Sequence, residues 1–145
     1  MIYTELTKKA LALCFLAHKE QTDKTGLPYV FHPFHLAEQM DDEISTVCAL
    51  LHDVVEDTDY TLDDISSMGY PKEVTDALAL LTHEDGVPYM DYVEKIVGNA
   101  TAKKVKLADL RHNSDLSRLS PEQIDEHALK RTKKYEQAIK LLAEK

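Results

Sequence analysis

Leu50-Leu51-His52-Asp53-Val54-Val55-Glu56-Asp57, in one-letter code LLHDVVED, is the stretch on which the reading of this chain turns. On a helix at about 100° per residue, His52, Asp53, Glu56 and Asp57 share one arc of about 140°. His52 then lies one turn from Glu56, and Asp53 one turn from Asp57. Val47, Leu50, Leu51, Val54 and Val55 fill the opposite side. One face is ready for burial, and the other carries an imidazole and three carboxylates. Acids at i, i+3 and i+4 repel by roughly a few tenths of a kcal/mol per pair in water, and by more in a cleft. A divalent cation is the economical way to offset them. For these four residues alone, a solvated acidic face is the plain alternative.

Length and composition bound the rest. A chain of 145 residues suits one domain, taken as 1–145, with a core that needs no staples. An apolar fraction of 43% is ordinary for a globular protein. Four Gly, few aromatics and no Trp favour helices over sandwiches or barrels. The net charge of −9 argues against nonspecific nucleic-acid binding and against anionic membrane surfaces. An anionic small substrate stays open if a metal and a few local Lys or Arg offset the field. Cys14 and Cys48 lie in apolar helical runs and read as buried free thiols, suited to a reducing cytosol. The N-terminal MIYTELTKKA has no apolar signal core, and no run approaches membrane-spanning length. A cytoplasmic protein is expected.

Helical periodicity runs through the chain, and no alternating strand pattern competes. Thr4 is placed to cap a helix over about 5–19. Gln21–Pro28 reads as a polar loop broken by Gly26 and Pro28. Pro33 suits the first turn of a short helix reaching about Met40. The helix bearing LLHDVVED is expected over Ile44–Glu56. Thr61 with Asp64 forms a capping-box pattern, Pro71 opens a helix to about Thr82, and Met90–Val97 follows the loop at Gly86. Thr101–Leu119 reads as one helix, with Val105, Ala108, Leu116 and Leu119 spaced for burial. Ser120-Pro121-Glu122-Gln123 reads as the start of the last helix, which carries Ile124, Ala128, Leu129, Tyr135, Ile139 and Leu142 inward. The fold class is all-α, a single helical bundle.

Two further places offer compatible ligands. His32 stands before Pro33 at a loop-to-helix junction, where its direction is fixed. Asp109 lies beside Leu107, Ala108 and Leu110, where an acid is costly to bury unless paired or bound to a cation. An ion pair with Lys106 or Arg111 is the alternative for Asp109. Two imidazoles and two carboxylates suit Mn, Fe, Zn or Mg, and leave room for a water whose pKa the ion lowers. Glu56 is placed to reach that water as a general base. Lys24, in the loop before His32, is a candidate point charge for phosphate oxygens. His112 reads as a structural histidine near the site; His18, His35, His83 and His127 read as surface or core residues. Tyr89 and Tyr92 read as core, and Lys130–Lys134 as a solvated helix face.

His32-Pro33, then Leu50–Thr58 with Thr61, then Val105–Asn113, in that order and at those separations, resemble the HD superfamily of metal-dependent phosphohydrolases. More narrowly, with Tyr29-Val30-Phe31 before His32, they resemble the hydrolase domain of the RelA/SpoT alarmone enzymes. The resemblance covers about residues 8–120. It implies an all-helical fold with one Mn²⁺ held by His32, His52, Asp53 and Asp109. It also implies Glu56 and Asp57 as the residues that polarise the attacking water and manage its protons, and Asn113 as a contact to the substrate ribose. The implied reaction removes the 3′-pyrophosphate of (p)ppGpp. The chain resembles the stand-alone small alarmone hydrolases, acting on a small-molecule nucleotide without nucleic acid or membrane; a homo-oligomer is compatible with this.

The departures fall on base recognition. The family usually carries Arg-Lys before its Gly-x-Pro-Tyr stretch, and the Arg is implied to stack on guanine; Asp23-Lys24 stands there here. The family's Asp-Arg-Leu-His-Asn becomes Asp109-Leu110-Arg111-His112-Asn113, which moves the Arg by one position, about 100° around the helix. Two alternatives therefore accompany the alarmone reading. One is the same chemistry on another nucleotide or phosphorylated metabolite. The other is a metal- and nucleotide-binding regulatory module with little turnover, against which the intact Glu56-Asp57 pair speaks.

Overall fold

The computed structural model describes residues 1–144. Its α-helices are α1 (Glu5–His18), α2 (Phe31–Glu38), α3 (Glu43–Leu51), α4 (Val54–Asp57), α5 (Leu62–Ser67), α6 (Lys72–Leu81), α7 (Tyr89–Ile96), α8 (Ala100–Asn113) and α9 (Glu126–Glu144). Among the described residues the only extended pairing is an isolated bridge between Thr22 and Pro28. The fold is all-α, as the periodicity predicts.

The axis of the bundle is α3. Every side chain from Ser45 to Leu51 is buried, the signature of a helix with neighbours on all sides. Those neighbours are α1, α2, α6 and α8. The Asp42 carboxylate caps the helix by accepting from Ser45 N at 2.7 Å, and Thr46 Oγ1 donates to Asp42 O at 2.7 Å. The buried hydroxyl thus finds a partner within its own first turn. Leu36, Leu50, Leu51, Val74, Leu78, Val105 and Leu110 belong to the single core cluster around this axis. Cys14 and Cys48 are buried free thiols, and burial pushes each thiol up to about 12. No helix among the described residues is long and apolar enough to cross a membrane.

The boundaries expected at Thr4 and Thr61 are present as reciprocal capping boxes with Thr7 and Asp64. Three others differ. The single helix expected over Ile44–Glu56 is broken: α3 ends at Leu51 and a separate turn, α4, begins at Val54. Asp53 leaves the helical basin at φ −105°, ψ 0°. Beside it, His52 Nδ1 donates to Ala49 O at 2.7 Å, the carbonyl that an unbroken helix would offer to the Asp53 amide. The helix expected over Thr101–Leu119 stops at Asn113. Asp115 there accepts from Ser117 N and Oγ and starts a 3₁₀ turn, so Leu116 and Leu119 are only half-buried. The Ser120–Gln123 box closes a second 3₁₀ turn. The start of α9 falls to Asp125, which accepts from Ala128 N at 2.9 Å. Ile124 and Leu129 are consequently exposed, whereas Ala128, Ala138 and Leu142 face the core.

Because α3 contributes to packing on all its sides, a truncation there has no compliant neighbour to fill it. Leu50→Ala is expected to cost roughly 2–5 kcal/mol. It should appear as a lower urea midpoint with an unchanged slope of the unfolding transition.

Candidate metal centre

Three segments meet at one end of α3. The break after Leu51 leaves His52 in helical backbone at the end of α3 and turns the chain at Asp53; α2 brings His32 in its first turn; α8 brings Asp109 from its C-terminal half. One ligand atom from each of His32, His52, Asp53 and Asp109 can be chosen so that all lie within 4.8 Å of one another. His32 Nε2 lies 2.9 Å from Asp109 Oδ1 and 4.0 Å from Asp53 Oδ2. His52 Nε2 lies 2.9 Å from Asp53 Oδ2 and 3.5 Å from Asp109 Oδ1, yet it is buried and makes no hydrogen bond. A buried imidazole nitrogen crowded by carboxylates and without a hydrogen-bond partner has the surroundings of a cation ligand. Two nitrogens and two oxygens suit a borderline-to-hard divalent ion.

The electrostatics follow from this crowding. Burial alone would push the Asp109 carboxyl up, but Lys106, His32 and His52 overcome it and hold Asp109 well below the usual carboxylate range. Lys106 Nζ reaches Asp109 Oδ2 at 2.9 Å and Asn113 Nδ2 donates to Oδ1 at 3.0 Å. Burial would lower the His52 pKa; Asp53 and Asp109 raise it well above the ordinary histidine value instead. Asp53 is held down chiefly by His52 against its own burial, and it accepts from the Tyr29 hydroxyl. Glu56 and Asp57 go the other way: burial and the Asp53 charge raise both. Glu56 Oε1 is steered by the backbone N–H of His83 at 3.2 Å. The Asp57 carbonyl accepts from Gln21 Nε2 at 2.9 Å.

All of this opens into a cavity of about 540 Å³. Glu56, Asp57, Lys24 and Asn113, the residues expected to act on water or substrate, line it together with Asp53 and Asp109. Asp23 does not reach into it as a free charge. Its carboxylate organises the loop by accepting from Thr25 N, Thr25 Oγ1 and Leu27 N, and it pairs with Arg118 at 3.4 Å. Arg111 is exposed.

Sequence reading missed several contributors. Tyr29, Lys106, Arg118, Arg131 and Tyr135 also line the cavity. Lys106 had a signal in its i, i+3 spacing to Asp109, but as an ion-pair partner only. Arg131 lay inside the Lys130–Lys134 run that reads as solvated, and Tyr135, one turn on, reads only as an apolar residue of the last helix. Both arrive because α9 packs on α7 and α8.

No protein-family model matches the chain. Individual relatives do. It is 34% identical over 129 residues to the guanosine-3′,5′-bis(diphosphate) 3′-pyrophosphohydrolase MESH1 of Mus musculus, covering 78% of this chain and 72% of that protein. The Homo sapiens MESH1 is 35% identical over 124 residues, covering 76% and 69%. The chain belongs to the HD-domain family of MESH1 and SpoT. The bifunctional (p)ppGpp synthase/hydrolase SpoT of Escherichia coli K12 is 32% identical over 112 residues, covering 67% of this chain and 16% of SpoT. A solved structure described as a metazoan ortholog of SpoT that hydrolyzes ppGpp shares the fold. Its TM-score is 0.75 at 24% identity, over 98% of this chain and 88% of that one. HD-domain architecture therefore accounts for the meeting of α2, the α3–α4 break and α8.

The buried charges set a pH signature for the metal-free protein. Asp109 is depressed, so its contribution is complete above the unfolded value of about 4 and is lost as pH falls through the folded value. His52 is raised, so its contribution is complete below about 6.5 and is lost as pH rises through its folded value. Thermal melts of chelator-treated protein are expected to be highest between these limits. Asp109→Asn should flatten the acid side and His52→Gln the alkaline side.

Proposed function

We propose that this chain is a divalent-metal-dependent nucleotide phosphohydrolase that removes the 3′-pyrophosphate of (p)ppGpp, giving GDP or GTP and pyrophosphate. One observation carries the reading: His32, His52, Asp53 and Asp109 converge within 4.8 Å at a cavity that Glu56 and Asp57 also line. The activities named for MESH1 and SpoT support it.

His32, His52, Asp53 and Asp109 would hold the ion, Mn²⁺ in this reading with Fe²⁺, Zn²⁺ or Mg²⁺ as alternatives. When bound, it lowers the pKa of water and offsets phosphate charge. The chain's own residues do the rest. Glu56, held by the His83 amide and with a raised pKa, receives the proton of the attacking water. The water oxygen bonds to the phosphorus next to the 3′ oxygen as the bond between that phosphorus and the 3′ oxygen breaks. Asp57 shares the proton traffic, and the freed 3′ oxygen ends protonated. Lys24 meets phosphate oxygens at the mouth. Asn113, whose amide nitrogen is engaged by Asp109, presents its carbonyl to a ribose hydroxyl. In this reading a single domain over 1–145 works in the cytoplasm on a small-molecule nucleotide, with no nucleic acid or membrane.

A second reading keeps the chemistry and changes the base. It is favoured by Asp23, which pairs with Arg118 at the position where the family's stacking arginine is implied.

Mn²⁺-loaded protein incubated with ppGpp is expected to release GDP and pyrophosphate. Robust hydrolysis of other nucleotides with none of ppGpp selects the second reading. Glu56→Gln should lower kcat by about 10²–10⁴-fold while substrate still binds, and binding without turnover by the wild type would point to a regulatory module. Asp53→Ala should lose the metal in elemental analysis; stoichiometric metal in that variant would discredit the ligand set.

A further inference from the structure

His52 and His32 are oriented differently, and the difference involves a residue that no step above uses. The ring of His52 is fixed by backbone: Nδ1 donates to Ala49 O at 2.7 Å, and a carbonyl can only accept, so Nε2 faces the carboxylates. His32 has no such carbonyl. Its Nε2 is the nitrogen on the ligand side, 2.9 Å from Asp109 Oδ1. Its Nδ1 lies 2.7 Å from the Nδ1 of His112. Two imidazole nitrogens that close hold one proton between them: one nitrogen carries it and the other offers a lone pair.

We propose that His112 is a positioning residue that accepts from His32 Nδ1–H, locks the His32 tautomer and so presents His32 Nε2 as a bare donor to a metal ion. The inference rests on the metal reading above. Balance of protons follows directly: His32 carries its single proton on Nδ1, and His112 carries its own on Nε2. Metal-bound histidines ordinarily give their second N–H to a carboxylate, a carbonyl or water; here a neutral imidazole takes that part. The placement is built into α8. Asp109 and His112 are three residues apart on one helix face, so the helix that supplies one ligand also supplies the orienter of another. The His112 ring is held nearly parallel to His32, 12° apart in plane with centroids at 4.9 Å, and the His35 ring lies 4.4 Å from it. Arg118 Nη1 donates to the His112 carbonyl at 2.9 Å, fixing the backbone beneath.

Mn²⁺ titration by calorimetry and by the loss of the free-ion EPR signal tests this on the whole chain. His112→Phe, which keeps a ring but no acceptor, is expected to weaken Mn²⁺ binding by about 10–100-fold. His112→Asn, whose Oδ1 can accept near the place of Nδ1, is expected to recover most of that loss. In the Zn²⁺-loaded wild type, ¹⁵N NMR should show the His32 proton on Nδ1. A His112→Phe variant with wild-type circular dichroism and wild-type Mn²⁺ affinity would overturn the proposal. So would His112→Asn falling as far as Phe, or a His32 proton found on Nε2. Wild-type protein that takes up no Mn²⁺ would overturn the metal reading itself, and this inference with it; the His112→Phe outcome overturns the tautomer lock alone.

Discussion

A carboxylate placed between Ala108 and Leu110 on a buried helix face sets the terms for the rest of this molecule. Taking an ion out of water costs several kcal/mol even after the protein relaxes, and Asp109 is only 5% exposed. Lys106, Asn113, His32 and His52 each face one of its oxygens. Satisfying Asp109 therefore fixes α8 against both α2 and the end of α3. Core packing alone would bring these helices together; the carboxylate decides their register at the site. The same demand explains why the ligand set is still short of positive charge. Lys106 offsets one of the two carboxylates, Asp53 keeps the other, and the imidazoles are neutral unless they bind protons. Against its burial, Asp53 and Asp109 raise the His52 pKa, which expresses that shortage. Proton and divalent ion compete for the same hole in the charge distribution.

The break after Leu51 serves the same end. In a continuous helix His52 and Asp53 would point about 100° apart. With Ala49 O given to the imidazole, the backbone turns at Asp53. His52 Nε2 and Asp53 Oδ2 then come within 2.9 Å on one side, and α4 carries Glu56 and Asp57 onto the same cavity. The four residues inferred to share a helical arc do lie near one another, but a broken helix rather than a continuous one brings them there.

What was legible in the sequence follows from this. Helix existence was readable from apolar period, because α1 and α6 each bury a continuous stripe. The site was readable because its residues are chemically anomalous where they stand: Asp109 in an apolar run, acids stacked after His52. The unreadable parts are those where a side chain competes with a helix for a backbone group, or where a distant helix arrives by packing. Asp115 takes Ser117 N and ends the line of α8; the Ser120 box satisfies its own turn and leaves α9 to Asp125. Arg131 looks like solvated helix surface, and Tyr135 like plain core, until α9 lies across α7 and α8.

The loop at 21–28 shows how one substitution can redistribute charge without loosening a wall. An acid at 23 gives three hydrogen-bond acceptances to its own loop, and Gly26 closes the turn at φ +89°. Arg118 then pairs with Asp23, and Gln123 Nε2 donates to Lys24 O at 2.8 Å. The segment after α8 thereby clamps the loop from outside, and the mouth stays preorganised. The change in charge is larger than the single exchange suggests. A cation is absent at 23, and the guanidinium of Arg118 is drawn into neutralising its replacement. Lys24 and Arg131 are then the cations left on this rim without Asp23 as a partner, and burial together with the nearby Arg131 and Lys134 charges lowers the Lys24 pKa. The charge along this rim is thus set by residues other than the buried group around Asp109, so either can change while the other stays as it is.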